Sequence, residues 1–169
     1  MRFVLLDRIT QLEPGKSITA VKNLTLAEEY LADHFPGFPV MPGVLMLEAM
    51  TQAAAWLIRA SDDFSHSVIT LKEIRTLKYG NFVEPGMTLT VTAEVAGSDL
   101  SDHSLRDIKI KAQGAVDDRS TVSARLVLQR YNLATEAPDR AIADQVIVGR
   151  MRELFSQIYK PQSAPVPQS

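Results

Sequence analysis

The chain has 169 residues, 46% apolar and 22% charged, with a formal net charge of −2 and no cysteine. That length fits one domain able to bury a substantial core. The charge excludes a global basic field that would recruit nucleic acid or an anionic membrane, and the lack of cysteine excludes disulfides, thiolate nucleophiles and zinc–thiolate sites.

The apolar run Phe3-Val4-Leu5-Leu6 is interrupted at Asp7, whereas a signal-peptide core needs about 7–15 such residues. The stretch from Val44 to Ile58 is the most apolar, but it carries Glu48 and Gln52 and is shorter than the roughly 20 residues of a membrane span. A buried helix and a cytoplasmic protein without a membrane span are the expectations.

In chain order, residues 3–9 and 17–24 read as short strands joined by the turn Glu13-Pro14-Gly15-Lys16. A short helix is expected within 25–33. The prolines and glycine of His34-Phe35-Pro36-Gly37-Phe38-Pro39 forbid regular helix there. Met41-Pro42-Gly43 then opens the apolar helix, about residues 43–60, with proline tolerated in the first turn.

Residues 68–79 are β-like, and Glu84-Pro85-Gly86-Met87 has the composition of a type II turn. Leu89, Val91, Ala93 and Val95 alternate with polar residues. So do Ile108, Ile110 and Ala112, and, after a turn at Asp117-Asp118-Arg119, Val122, Ala124, Leu126 and Leu128. A period of two means strands with one buried face, hence an antiparallel meander. A helix apolar on nearly every side must be enclosed, and only this sheet is available. The expected architecture is α+β, a curved antiparallel sheet wrapped round a long central helix.

From Asn132 the composition shifts. Asp139 after Pro138 is placed to cap a helix over about 139–159, with a stripe of Ile142, Val146, Met151, Leu154, Phe155 and Ile158. This helix is expected to pack in trans or on the outer face of the sheet, because the central helix already has its cover. Residues 160–169, rich in Pro, Gln and Ser, are expected to be poorly ordered alone. The division is 1–131 for the main domain and 132–169 for an extension.

The chemistry concentrates between His34 and Gln52. Eliminating water from a β-hydroxyacyl thioester needs a base for the C2 proton, an acid for the leaving hydroxyl, and donors for the enolate-like oxygen. Histidine is a natural base near neutral pH. An apolar setting disfavours the charged form of a carboxyl in general, so Glu48, in an otherwise apolar helix, is the candidate for the acid. The N–H groups of Gly43 and Val44, at the positive end of the helix dipole, are placed to polarise a thioester carbonyl. Singly, each residue also has a structural reading: a turn histidine, or a glutamate bonded to Gln52 one turn on. An unpaired buried carboxylate is costly, which favours a use for Glu48 and Gln52. His66 and His103, among Ser and Asp, read as surface residues without a role.

The segment His34-Phe35-Pro36-Gly37, Pro39-Val40-Met41-Pro42-Gly43-Val44-Leu45, Glu48-Ala49-Met50-Thr51-Gln52 resembles the signature of the β-hydroxyacyl-acyl-carrier-protein dehydratases of type II fatty-acid synthesis. Leu5-Leu6-Asp7-Arg8, Ala20-Val21-Lys22-Asn23 and Phe82-Val83-Glu84-Pro85-Gly86 resemble further family segments, so the likeness covers about residues 3–131. It implies a hot-dog fold and a homodimer, or a dimer-based higher oligomer, with two sites at the interface. His34 is then the catalytic histidine and Glu48 its carboxyl partner from the opposite subunit. Gly43 holds the thioester carbonyl, with Val44 and Gln52 as further substrate-binding residues. The implied reaction turns a (3R)-hydroxyacyl thioester, carried on the phosphopantetheine arm of an acyl carrier protein, into the trans-2-enoyl thioester. It involves no metal and no dissociable cofactor. A sister group that also isomerises the double bond has Asp at the position of Glu48, which favours plain dehydration.

Three features depart from the family: Asp33 where glycine usually precedes the histidine, no N-terminal helix before the first strand, and the helix at 139–159. They leave room for a catalytically idle hot-dog subunit that binds acyl chains or pairs with an active partner. A hot-dog acyl-thioesterase is the other alternative, disfavoured because such enzymes do not need the His-Phe-Pro-Gly loop. Docking an acidic carrier calls for positive charge, and Lys72, Arg75 and Lys78 are the candidates. Strict alternation would set Lys72 and Lys78 on one face and Arg75 on the other.

Overall fold

The computed structural model describes residues 3–35, 37–97 and 99–161. Six antiparallel strands form one sheet in the order β1-β2-β4-β5-β6-β3. They are β1 (Arg8–Glu13), β2 (Ser17–Asn23), β3 (Val68–Tyr79), β4 (Thr88–Val95), β5 (Asp107–Val116) and β6 (Arg119–Tyr131). Helix α1 is Tyr30–His34, the central helix α2 is Gly43–Ser61, and the last helix α3 is Ala141–Ile158. Helix α2 packs against β2, β3, β4, β5 and β6. The alternating residues Leu89, Val91, Ala93, Ile108, Ile110, Ala112, Val122, Ala124, Leu126 and Leu128 are all buried against it.

Local turn chemistry sets the register. Asp117 and Asp118 both have positive φ (47° and 63°), and the strands close on the pair Val116↔Arg119. This is the two-residue hairpin whose twist matches that of the flanking strands. Gly86 has φ 91° and the Met87 N–H donates to Glu84 O at 3.0 Å, as a type II turn requires.

The first strand is displaced from its expected position. Closing the Pro14–Lys16 turn on Glu13↔Ser17 carries the pairing back only to Arg8↔Val21. The Asp7 N–H still donates to Val21 O at 2.9 Å, but residues 3–6 leave the sheet and cross to α2, where Leu5 and Leu6 are buried and the Leu5 N–H donates to Gln52 Oε1 at 3.0 Å. Helix α1 begins later than expected and ends on His34 itself.

Helix α3 contradicts both placements expected for it. It lies on the same chain's α2, over the side the sheet leaves open. Phe155 packs against Trp56 (5.8 Å between ring centroids) and Phe64 (5.4 Å). Ile158 joins the core, and Tyr159 bridges to Ile9 at the edge of β1. The sheet covers only one flank of α2, because its opposite flank carries Glu48, Thr51, Gln52 and Ala55, all half-buried. Ile142 (74% exposed) and Val146 (46%) face away from this contact, so the working stripe is Ile147, Met151, Leu154, Phe155 and Ile158.

No side chain caps α3, and Asp139 falls in a 3₁₀ turn, Pro138–Arg140. The anchor is instead Asp144, buried, which accepts hydrogen bonds from the Leu133 and Ala134 N–H groups (2.9 Å each) and from Ser67 Oγ. Further along, Arg152 donates to Asp63 Oδ1 at 3.1 Å and lies over the Phe64 ring.

His66 is not a free surface residue. Its Nδ1 lies 2.7 Å from Asp62 Oδ2, which also pairs at 3.2 Å with the fully buried Arg130. Arg130 reaches on to the carbonyls of Leu100 and Leu105, fastening the end of α2 to the β4–β5 connection. His103 is exposed and stacks on His66 at 6.4 Å. Residues 162–169 of the expected tail, and Pro36 of the loop motif, lie outside the described residues.

Candidate active site

His34 ends α1 and is exposed in the single chain, its ring 4.3 Å from that of Phe35. It shares a cavity of about 180 Å³ with Gly43, Met46, Tyr79 and Phe82. Pro42 stands at the start of α2 with extended ψ, and its carbonyl accepts the N–H of Leu45 (2.9 Å) and of Met46 (3.2 Å). The N–H groups of Gly43 and Val44 therefore open the helix without an intrahelical acceptor. Gly43 faces the cavity so closely to Tyr79 that an added Cβ would lie 2.9 Å from the ring. Val44 is 67% exposed and lines neither this cavity nor the next. Burial raises the Tyr79 hydroxyl above its usual pKa, so it stays a neutral donor at physiological pH. Tyr79 was missed in the sequence because a tyrosine ending a β-rich run reads simply as a strand residue.

Glu48 lies elsewhere. With Gln52 it lines a second and larger cavity, about 440 Å³, between α2 and α3. Gln52 Nε2 donates to Glu48 Oε1 (2.9 Å) and to Phe3 O (3.1 Å), while its Oε1 accepts from Leu5 N. Every polar group of the Gln52 side chain is thus engaged by the chain itself, which orients Glu48. At the far end of the same cavity Arg59 donates to the carbonyls of His66 and Ser67. Burial lowers its pKa to about 10, partly opposed by Asp62, and it remains charged at neutral pH.

The structure thus joins His34 with Gly43, and Glu48 with Gln52, in two separate cavities of one chain.

Residues 1–125 match the family model of the FabA-like domain. The chain belongs to the FabA-like family. Relatives named 3-hydroxyacyl-[acyl-carrier-protein] dehydratase FabZ occur in Wolbachia sp. subsp. Drosophila simulans and in Ruminiclostridium cellulolyticum. The first is 38% identical over 73% of this chain and 86% of its own length. The second is 37% identical over 68% and 84%.

Among solved structures, the dehydratase heterocomplex ApeI:P from Xenorhabdus doucetiae matches with TM-score 0.62 at 15% identity, covering 78% of this chain and 85% of that one. A hypothetical thioesterase protein with coenzyme A from Streptococcus pneumoniae matches at 0.55 and 8%, covering 74% and 85%. The architecture is the hot-dog fold, α+β, with α3 added after the residues that the FabA-like model matches.

Strand β3 does not keep the alternation expected for the basic residues. Register shifts fall between Leu71 and Glu73 and between Ile74 and Thr76, so Lys72 and Arg75 are the extra residues of two bulges. Leu71, Ile74 and Leu77, three apart, oppose the inward-facing Leu128, Leu126 and Ala124. Lys72 pairs with Asp107 at 2.5 Å and Arg75 with Glu73 at 3.4 Å. Among the described residues, only Lys78 of the three has no ion-pair partner.

Proposed function

We propose that this chain is a 3-hydroxyacyl-acyl-carrier-protein dehydratase, working as a homodimer or dimer-based oligomer whose sites combine His34 of one subunit with Glu48 of the other. The observation that carries this reading is the separation of the two residues into different cavities of one chain, in a member of a dehydratase-rich family. A pair meant for one reaction must then be completed by a second copy.

The sheet edges support this. The β1 edge is bridged by Tyr159, whereas β3 is a 12-residue edge strand with Ile74 and Tyr79 exposed (42% and 49%). Such an edge offers a row of unpaired backbone groups for a partner strand. Pairing along β3 sets the His34 cavity, walled by Tyr79, beside the partner.

In the reaction, His34 takes the C2 proton of the (3R)-hydroxyacyl thioester. The C2–H electron pair forms the C2–C3 double bond as the C3–O bond breaks. Glu48 protonates the departing hydroxyl, which leaves as water, and the trans-2-enoyl thioester remains. The Gly43 N–H, helped by Val44 and the dipole of α2, stabilises the enolate-like thioester oxygen. Gln52 holds Glu48 rather than the substrate. No cofactor is required. The substrate arrives on acyl carrier protein, and Lys78, next to Tyr79, is the basic residue best placed to meet it. No helix among the described residues is long and apolar enough to cross a membrane, and a cytoplasmic reaction suits a protein-borne substrate.

The test is to incubate the purified protein with 3-hydroxyacyl-acyl carrier protein and follow enoyl absorbance. Enoyl product establishes the dehydratase. Release of free thiol without enoyl product would establish the thioesterase, and neither product would leave the idle subunit.

A further inference from the structure

Helix α3 lies outside the residues matched by the family model, 1–125, yet it forms one wall of the cavity that holds Glu48. Ile147, Met151 and Leu154 line it from α3, opposite Glu48 and Trp56 of α2. The helix is pinned before, within and just after this stretch, by Asp144 towards its start, by Arg152 and by Phe155. Helices packed merely for stability interdigitate, and voids larger than a water molecule are few in protein interiors. Between the pinned helix and α2 lies instead a cleft of about 440 Å³, partly open to solvent past the exposed Phe3 and Val4, and that volume falls within the usual range for ligand pockets.

We infer that α3 is the acyl-selecting wall of the site: Met151, Leu154 and Ile147, with Trp56, set the length of acyl chain that the enzyme accepts. The inference rests on the dehydratase reading. Ile147, Met151 and Leu154 of α3, with Trp56 and Ala55 of α2, give the cavity an apolar run between Glu48 at one end and Arg59 at the other, with Arg150 of α3 also bordering it; a hydrocarbon with a reacting head fits along that run. From Glu48 to Arg59, which both line the cavity, α2 advances roughly 16 Å. An extended hydrocarbon with bonds of about 1.5 Å advances roughly 1.3 Å per carbon, so the axis accommodates about a dozen carbons. Volume agrees: at about 30 Å³ per water-sized group, on the order of a dozen methylenes fit. Medium-length chains are therefore the expected substrates.

The test compares kcat/KM for 3-hydroxyacyl-pantetheine thioesters of increasing length in wild type, the double variant Met151→Ala with Leu154→Ala, and Ile147→Phe. Enlarging the cavity should move the preference to longer chains, and filling it to shorter ones, each changing the long-to-short ratio at least tenfold. Opposite shifts cannot come from general destabilisation. Emission of Trp56, the chain's one tryptophan, should respond to bound long-chain thioesters in wild type. An active wild type with parallel length profiles in all three proteins overturns the inference alone. A wild type inactive at every length, with unchanged Trp56 emission, overturns the dehydratase reading and this inference with it.

Discussion

Gln52 Nε2 lies 2.9 Å from Glu48 Oε1, one turn along the same helix, and also donates to Phe3 O, while Oε1 of that amide accepts from the Leu5 N–H. One side chain thus ties the carboxyl proposed as the acid to the segment that leaves the sheet before β1. Gln52→Ala should lower kcat with little change in KM and detach residues 3–6. Three hydrogen bonds at about 1 kcal/mol net each put the stability loss at roughly 1–3 kcal/mol. A KM effect without a kcat effect would instead return Gln52 to substrate binding. Steady-state kinetics beside a denaturation curve distinguish the two.

Loss of His34 or Glu48 should stop the chemistry without disturbing the fold, since His34 is exposed and Glu48 only half-buried. His34→Ala and Glu48→Gln should each reduce turnover by about 10²–10⁴-fold, the usual worth of a proton-transfer group. Wild-type turnover in Glu48→Gln would remove its assignment as the acid.

If sites are shared between subunits, mixing the two inactive variants into heterodimers restores one wild-type site per dimer. Activity should recover to as much as half that of the wild type. A verified heterodimer with no recovery, formed from two folded variants, would place the site within a single chain.

Lys78 is the residue proposed to dock the carrier. Lys78→Glu should raise KM several-fold for substrate on acyl carrier protein but leave pantetheine thioesters unaffected. The effect should shrink at high salt, as steering by exposed charge does. Equal effects on both substrates would point to damage at Tyr79 instead.

Asp144 gives α3 a pH-dependent anchor. Burial raises its pKa, but the hydrogen bonds from Ser67, Ala134 and Leu133 outweigh this and leave it below the ordinary 3.8. A depressed folded-state value means that the carboxylate's contribution is complete above the unfolded value and is lost as pH falls through the folded one. Asp144→Ala should therefore lower Tm at pH 7, with the gap to wild type closing in strong acid. Ending the chain at Asn132 should lower Tm further by uncovering Trp56 and the open flank of α2. Identical melting curves for wild type and Asp144→Ala at pH 7 would argue against the anchor.

Much of this protein is determined within short windows of sequence. Alternation in β4, β5 and β6, the Asp117-Asp118 and Pro85-Gly86 turns and the apolar run of α2 depend on neighbouring residues alone. So does the bringing of Gly43 and Glu48 onto one helix. The sequence also carries the motif from His34 to Gln52, in which residue type and spacing express the chemistry without a fold. Tertiary structure decided the rest. Leu5 and Leu6 look like strand residues, but the ladder stops at Arg8↔Val21; Gln52 of α2 takes the backbone of Leu5 and both leucines are buried in the core. The bulges at Lys72 and Arg75 come from fitting β3 to β6, a match that neither strand shows alone. Helix α3 has an apolar stripe whose partner could be any uncovered surface. Its seat on α2 follows only after the sheet has closed over one flank of that helix and left the other open. Local periodicity arises from backbone geometry, repeated every two or 3.6 residues, whereas packing between distant elements depends on which surfaces remain uncovered once the others have met.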